Sequence, residues 1–233
     1  MAKHGNRAVS SKSGSADVLE SLGVNLSTPP EIVEEAVAEI GIGFLFAPLY
    51  HSAMRHAGRA RQEVGLRSIF NMLGPLTNPA GANCQLLGVY APQLTEMFAE
   101  ALKLLGTRRA LVVHGHDGLD EISVCAATRV SEISDGRVHT YDIQPEHYFG
   151  RLADPAELTG GDPQQNADIT RAVIGGQDGP CRDVVLINAA AALMAAGRAD
   201  DLTSGIEQAK LAIDSGAATE KLQALVDFTT SQV

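Results

Sequence analysis

Apolar residues recur with two different periods along the chain, and these periods predict both helices and strands. After the helix-starting residues Pro29 and Pro30, five apolar positions follow at helical spacing: Ile32, Val33, Ala36, Val37 and Ile40. Short apolar runs at 85–89 and 109–113 instead indicate buried strands, with a helical pattern at 94–105 between them. Strands that alternate with helices are typical of an α/β domain whose mostly parallel sheet is flanked by helices.

The rest of the chain adds a hairpin and further helices to this prediction. Runs rich in β-branched residues predict strands at 121–126, 128–133 and 138–143, and Asp135-Gly136 is a typical hairpin turn. The alanine-rich last third predicts helices at 184–196, 202–215 and 218–228. In the first third, we predict a loop at 3–15, helices at 16–22 and 48–64, and a rigid irregular turn at 71–79.

The composition narrows the class of protein. The 233 residues are 45% hydrophobic and 20% charged, which is ordinary for a globular chain with a sizeable core. The formal net charge of -10 disfavours general affinity for nucleic acid or an anionic membrane, although Lys and Arg can still line a local pocket for an anionic substrate. The longest apolar run is too short to span a bilayer, and no secretion signal is recognisable. We therefore expect a cytoplasmic protein with inert, reduced cysteines.

A segment near the start combines the groups that a phosphate site needs. Residues 3–15 contain cationic side chains, hydroxyls and glycines ahead of a predicted helix. Backbone N–H groups and the N-terminal end of a helix attract anions, and lysine adds a mobile positive charge. A solvated terminal segment has the same composition, so the residues alone leave both interpretations open.

Two further segments contain candidate ligand groups. Asp120 and Glu121 follow the loop 114–119, and adjacent carboxylates suit Mg²⁺, which prefers oxygen ligands. Arginines precede a turn that contains Pro75: Arg55, Arg59, Arg61 and Arg67. An arginine fork can bind a carboxylate, and a proline can offer a flat apolar wall to an aromatic ring. Taken alone, each pattern is more often an exposed charged surface.

Four segments taken together resemble the anthranilate phosphoribosyltransferase family. They are KHGNRAVSSKSGSADVLESLG at 3–23, RQEVGLRSIFNMLGPLTNP at 61–79, HGHDGLDEIS at 114–123 and RDVVLINAAAALMAAG at 182–197. They stand in the family's order, and the resemblance extends over essentially the whole chain. It implies a glycosyltransferase of tryptophan biosynthesis that moves phosphoribosyl from phosphoribosyl pyrophosphate to the amine of anthranilate and releases pyrophosphate.

The resemblance also implies roles for particular residues. The residues that would bind phosphoribosyl pyrophosphate are Lys3, His4, Gly5, Asn6, Arg7, Ala8, Val9, Ser10, Ser11 and Ser15. The residues that would bind anthranilate are Asn6, His4, Arg61 and Pro75. Asp120 and Glu121 would bind Mg²⁺ as the cofactor. No side chain is expected to act as a nucleophile, because positioning and charge stabilisation suffice for this transfer.

The chain departs from the family pattern at its front. The family's N-terminal helical region and GTGGD loop do not occur in the sequence, so we expect residues 1–233 to form one incomplete phosphoribosyltransferase domain with little activity alone. Full-length relatives would form homodimers. Two alternatives remain open: a non-catalytic, nucleic-acid-binding relative and a pyrimidine-nucleoside phosphorylase.

Overall fold

Strands occur among the helices from the beginning of the chain, whereas the sequence predicts strands only from residue 85 onward. The computed structural model describes residues 1–8, 12–51, 53, 63 and 70–231. Its strands are β1 (Ala2–Gly5), β2 (Gly43–Phe46), β3 (Cys84–Gly88), β4 (Arg109–Gly115), β5 (Thr128–Ser134) and β6 (Arg137–Ile143). Its helices are α1 (Ser15–Ser21), α2 (Pro30–Glu39), α3 (Ala47–Tyr50), α4 (Phe70–Leu76), α5 (Leu94–Leu104), α6 (Glu146–Phe149), α7 (Pro163–Ile174), α8 (Pro180–Ala195), α9 (Leu202–Asp214) and α10 (Ala217–Thr230).

The chain divides into two compact units. Unit 1 comprises Met1–Gly81, Gly160–Ala172 and Ala217–Val233. Within it, β1 and β2 form a two-stranded parallel sheet, and α2 packs against both β2 and α10. A small cluster of buried side chains, Ala16, Leu26 and Phe44, joins the start of α1 to this sheet. The sheet therefore supports the loop that leads from β1 into α1.

Unit 2 comprises Ala82–Thr159 and Val173–Gly216 and contains a four-stranded sheet in the order β3-β4-β5-β6. β3 and β4 are parallel, whereas β4–β5 and β5–β6 are antiparallel. Leu111, Val112 and Val113 of β4 are at most 1% exposed, because α5 and α8 cover this sheet. The β5–β6 hairpin turns at Asp135 and Gly136, whose φ angles of 51° and 72° are left-handed as predicted.

Three local predictions are wrong. Residues 3–5 form β1 instead of a loop, because its short pairing with β2 is not visible in a polar sequence. Residues 121–126 form a loop instead of a strand, since side chains rather than a neighbouring strand satisfy much of their backbone. Residues 71–76 are helical instead of irregular. Pro75 lies one residue before the end of α4, where its fixed φ fits a helix and only one helical hydrogen bond is lost.

Within the described part of the chain, none of the helices is both long enough and apolar enough to span a bilayer. The three cysteines, Cys84, Cys125 and Cys181, are free and partly buried. Burial raises the pKa of the Cys125 thiol, which keeps it in the less reactive protonated form.

Candidate substrate and metal site

The loop between β1 and α1 is drawn together by one carboxylate. Asp17, in the first turn of α1, accepts hydrogen bonds from the backbone N–H groups of Ala8 and Gly14, each at 2.9 Å. These two amides, with help from Arg7, lower the pKa of Asp17. A single anionic side chain therefore joins the entry of the loop to its exit.

Gly14 allows this close approach of the two ends of the loop. A Cβ at Gly14 would lie 2.4 Å from the nitrogen of Ala8 and 2.6 Å from the carbonyl carbon of Arg7. Both are backbone atoms, which cannot move aside as the end of a flexible side chain can. Any larger residue at position 14 would therefore force the loop open.

Arg7 is directed toward α1. Its guanidinium donates to both carboxylate oxygens of Glu20 at 2.6 and 2.8 Å, and to Asp17 at 3.0 Å. It also lies 5.7 Å from the centroid of the Phe46 ring, within cation–π range. These contacts lower the pKa of Glu20, and they give Arg7 a part in ordering the loop besides any part in binding an anion.

A pair of histidines lies beside the segment that contains Pro75. The Nε2 atoms of His4 and His51 are 3.1 Å apart, and the two rings meet edge to face. Burial and His51 lower the pKa of His4, while a backbone hydrogen bond with Gly74 acts in the opposite direction. His4 thus lies next to Gly74, the residue before Pro75, while the shared pocket of His4 and Pro75 stays a prediction.

The remaining predicted residues of unit 1 divide into two groups. Lys3, Asn6 and Arg7 are exposed, while Gly5, Ala8 and Ser15 are partly buried. Val9, Ser10, Ser11 and Arg61 lie outside the described residues, as do Arg55, Arg59 and Arg67.

The acidic pair lies in unit 2, on the loop that follows β4. Asp120 and Glu121 are both exposed, whereas the next residue, Ile122, is completely buried. The backbone of Asp120 passes over the last residue of β3, since a Cβ at Gly88 would lie 1.6 Å from its carbonyl oxygen. The pair therefore sits where the carboxyl ends of the parallel strands β3 and β4 meet, which is the usual ligand-binding edge of such a sheet.

Hydrogen bonds from three directions hold this loop. The N–H of Gly115 donates to the carbonyl of Leu119 at 2.8 Å. The hydroxyl of Ser123 donates to Asp117 at 2.6 Å and accepts from the N–H of Cys125 at 2.9 Å. From α8, the side-chain amide of Asn188 bonds to both backbone groups of Ile122.

The donor set suits magnesium better than a transition metal. Among the described residues, no group of three or more His, Cys, Asp or Glu side chains is arranged around a common metal position. Mg²⁺ is commonly held by only one or two carboxylates, with waters and substrate phosphates as its other ligands. Two adjacent, exposed carboxylates on an ordered loop fit that requirement.

Sequence reasoning did not identify several residues that shape these two loops. Asp17 stands three residues after the helix-capping Gly14, a spacing that is typical of capping and could have been recognised. Asn188 is a polar residue in an otherwise apolar helical run, which is also a usable signal. The sequence contains no comparable signal for His51 or Asp117.

Comparison with known proteins identifies the family. A family model described as "Glycosyl transferase family, a/b domain" matches residues 1–219. An anthranilate phosphoribosyltransferase from Syntrophobacter fumaroxidans is 70% identical over 229 residues, which cover 98% of this chain and 68% of that relative. The chain belongs to the anthranilate phosphoribosyltransferase family.

Solved structures of anthranilate phosphoribosyltransferases have the same fold. The enzyme from Thermus thermophilus matches with a TM-score of 0.92 and 46% identity, covering 98% of this chain and 68% of that one. The enzyme from Saccharomyces cerevisiae, in complex with PRPP and Mg, matches with a TM-score of 0.89 and 29% identity, covering 99% of this chain and 65% of that one. The predicted family, the α/β fold and the glycosyltransferase class are therefore confirmed.

Proposed function

We propose that this chain transfers phosphoribosyl from phosphoribosyl pyrophosphate to the amine of anthranilate, with release of pyrophosphate, as a cytoplasmic step of tryptophan biosynthesis. The observation that carries the proposal is the 70% identity to an anthranilate phosphoribosyltransferase across nearly the whole chain. The binding of PRPP and Mg by the yeast relative adds the substrate and the cofactor.

The β1–α1 loop is the proposed binding segment for phosphoribosyl pyrophosphate. Lys3 within β1 and Asn6 directly after it are exposed and present polar groups that can reach phosphate oxygens. Asp17 accepts hydrogen bonds from the backbone N–H groups of Ala8 and Gly14, so these two groups shape the loop instead of binding phosphate. The residues 9–11 complete the segment that resembles the family.

The neighbourhood of His4 is the proposed wall of the anthranilate pocket. The lowered pKa of His4 keeps its imidazole neutral near pH 7, so this wall does not gain charge there. Pro75 follows Gly74 directly and offers an apolar surface suited to an aromatic ring. Asn6 and Arg61 remain the predicted polar contacts of this pocket.

Asp120 and Glu121 are the proposed ligands of Mg²⁺. Negative charge on the departing pyrophosphate would be neutralised by Mg²⁺ held there. The protein itself binds the two substrates, aligns the amine with the ribose carbon and provides cationic groups for the phosphates. We assign no side chain as a nucleophile. Homodimer formation, a single incomplete domain over 1–233 and low activity of the chain alone stay predictions.

The decisive assay follows the loss of anthranilate fluorescence with phosphoribosyl pyrophosphate and Mg²⁺. Because the relatives are longer, it is run on the chain and on a chimera completed with the unmatched part of the Syntrophobacter fumaroxidans relative. Turnover in either protein supports the proposal, and Asp120→Asn with Glu121→Gln should remove it. If both proteins fold but neither consumes anthranilate, the proposal is overturned. Phosphorolysis of thymidine would instead favour a nucleoside phosphorylase, and tight, strongly salt-dependent DNA binding a nucleic-acid-binding relative.

A further inference from the structure

Asn188 makes an unusually complete set of contacts for a helical side chain. It is a partly buried residue of α8, whose buried residues are largely apolar, including Leu186, Ile187 and Ala191. Its Oδ1 accepts from the N–H of Ile122 at 2.9 Å, and its Nδ2 donates to the carbonyl of Ile122 at 2.8 Å. The same Nδ2 donates to the carbonyl of Val184 at 2.9 Å, which orients the amide on its own helix.

These contacts replace a strand partner for the loop. Residues 121–126 have extended sequence preferences but do not join the sheet, so their backbone groups need other partners. Asn188 satisfies both backbone groups of Ile122 with one side chain. Because the Ile122 side chain is also completely buried, this residue cannot shift without breaking two hydrogen bonds and its apolar packing.

Asp120 and Glu121 lie between two residues whose backbones are held by hydrogen bonds, Leu119 before them and Ile122 after them. On their amino-terminal side, the carbonyl of Leu119 accepts from Gly115, and the backbone of Asp120 rests on Gly88. On their carboxyl-terminal side, Asn188 holds Ile122. Asp120 and Glu121 are thus exposed side chains on a short segment that is anchored at both ends.

We infer that Asn188 is a positioning residue, which holds the backbone of Ile122 so that Asp120 and Glu121 are preorganised for a divalent cation. The inference rests on the metal site of the proposed function. Partners that orient metal ligands without touching the metal commonly change metal affinity by about 10–100-fold when they are removed. Asn188 contributes through the loop backbone and is not itself a ligand.

A purely structural role for Asn188 makes a different prediction, and the chain offers a matched control. On α7, Asn166 accepts from the N–H of Gly161 at 2.8 Å and donates to its carbonyl at 3.2 Å. This is the same amide-to-backbone arrangement, in a segment that carries none of the proposed site residues. Loss of either amide should lower stability, but only loss of Asn188 should weaken metal binding.

The test measures Mn²⁺ binding by the free-ion signal in electron paramagnetic resonance, on the full chain without substrate. The variants are Asn188→Ala, Asn188→Leu, Asn166→Ala and the double variant Asp120→Asn with Glu121→Gln, each checked by thermal melting. Asn188→Leu keeps about the same side-chain size, adds no charge near the cation and removes both hydrogen bonds to Ile122, so it covers the case in which Asn188→Ala does not fold.

We expect the double variant to lose binding, Asn188→Ala and Asn188→Leu to bind about 10–100-fold more weakly, and Asn166→Ala to bind like the unmodified chain. Unchanged affinity in folded Asn188 variants, with the double variant still defective, would overturn the inference alone. So would equal weakening in Asn166→Ala. If the unmodified chain does not bind, or the double variant binds normally, the proposed metal site itself fails and the inference with it.

Discussion

The two candidate binding loops, one in each unit, are built on the same plan but are held by groups of different chemistry. Each loop follows the carboxyl end of a parallel strand, β1 in unit 1 and β4 in unit 2. The loop between β1 and α1, called here the cation-containing loop, is closed by the carboxylate of Asp17, which titrates. The loop that follows β4, called here the acidic loop, is held next to Asp120 and Glu121 by the neutral amide of Asn188, which does not titrate. Asp17 compensates the positive charge of Arg7 in the first loop, while the neutral amide of Asn188 adds no negative charge next to Asp120 and Glu121.

The largest effect is expected where the acidic loop crosses β3. In Gly88→Ala, the new Cβ would lie 1.6 Å from the carbonyl oxygen of Asp120, and neither backbone can yield easily. We expect the free energy of unfolding to fall by about 3 kcal/mol and Mn²⁺ binding at Asp120 and Glu121 to weaken. Urea denaturation with Mn²⁺ titration measures both.

Gly74→Ala is the control for Gly88→Ala, because no atom of the described residues outside its own helix and its chain neighbours lies within 4 Å of the position of its Cβ. It should not lower the free energy of unfolding, and because Gly74 lies within α4 the alanine should raise it by up to about 1 kcal/mol. A Gly88→Ala protein as stable as the unmodified chain would show that the contact between Gly88 and Asp120 is not tight in solution.

A smaller effect is expected from Ser123→Ala in the same loop. The completely buried hydroxyl of Ser123 accepts from the N–H of Cys125 and donates to Asp117, so its loss leaves polar groups without these partners. We expect a loss of about 2 kcal/mol in the free energy of unfolding, measured by urea denaturation. Ser204→Ala, in the first turn of α9, removes a hydroxyl that is only partly buried and should cost about 0.5 kcal/mol or less; equal losses in the two variants would contradict this account.

In the cation-containing loop, Asp17→Asn should lower the free energy of unfolding by about 1 kcal/mol at pH 7. The substitution replaces a charged acceptor of two backbone N–H groups by a neutral, weaker acceptor. The folded-state pKa of Asp17 lies below the ordinary value of 3.8. Its contribution is therefore fully present above about pH 4 and is lost as the pH falls through the lowered pKa. The difference between the unmodified chain and Asp17→Asn, measured by urea denaturation, should shrink below pH 4.

The acidic loop provides the contrast for this pH dependence. The stability lost in Asn188→Ala should not change over the same pH range, because an amide does not titrate. A pH-independent difference for Asp17→Asn would show that its carboxylate does not close the first loop.

The smallest effect concerns His4, at the end of β1. Burial, and secondly His51, lower its pKa below 6.5, so His51→Gln should raise the pKa of His4 only part of the way back. A lowered pKa means that the folded chain favours neutral His4. The resulting contribution to the free energy of unfolding is fully present above pH 6.5 and is lost as the pH falls through the lowered pKa. Titration of the histidine ring protons by NMR measures the shift. If the pKa of His4 does not change in His51→Gln, the Nε2 atoms of His4 and His51 are farther apart in solution than 3.1 Å.

Local pattern was sufficient for much of unit 2. The alternation of apolar residues predicted β3 to β6 and the helices α5, α8 and α9 within a few residues, because each buries one continuous face. It failed at residues 3–5 and 121–126, where pairing partners decide whether an extended segment becomes a strand. β1 pairs with β2, about forty residues later in the chain, and short polar strands of this kind leave little periodic signal.

The sequence by itself determined the family, the alternation of helices and strands, and the residue types of the candidate site, because these depend on local order and on motifs. Only the tertiary structure decided how the two loops are held. The amide of Asn188 meets Ile122 across 66 residues, and the backbone of Asp120 rests on Gly88. Such contacts arise when packed elements bring distant backbone groups together, and those groups must find partners once they are away from water.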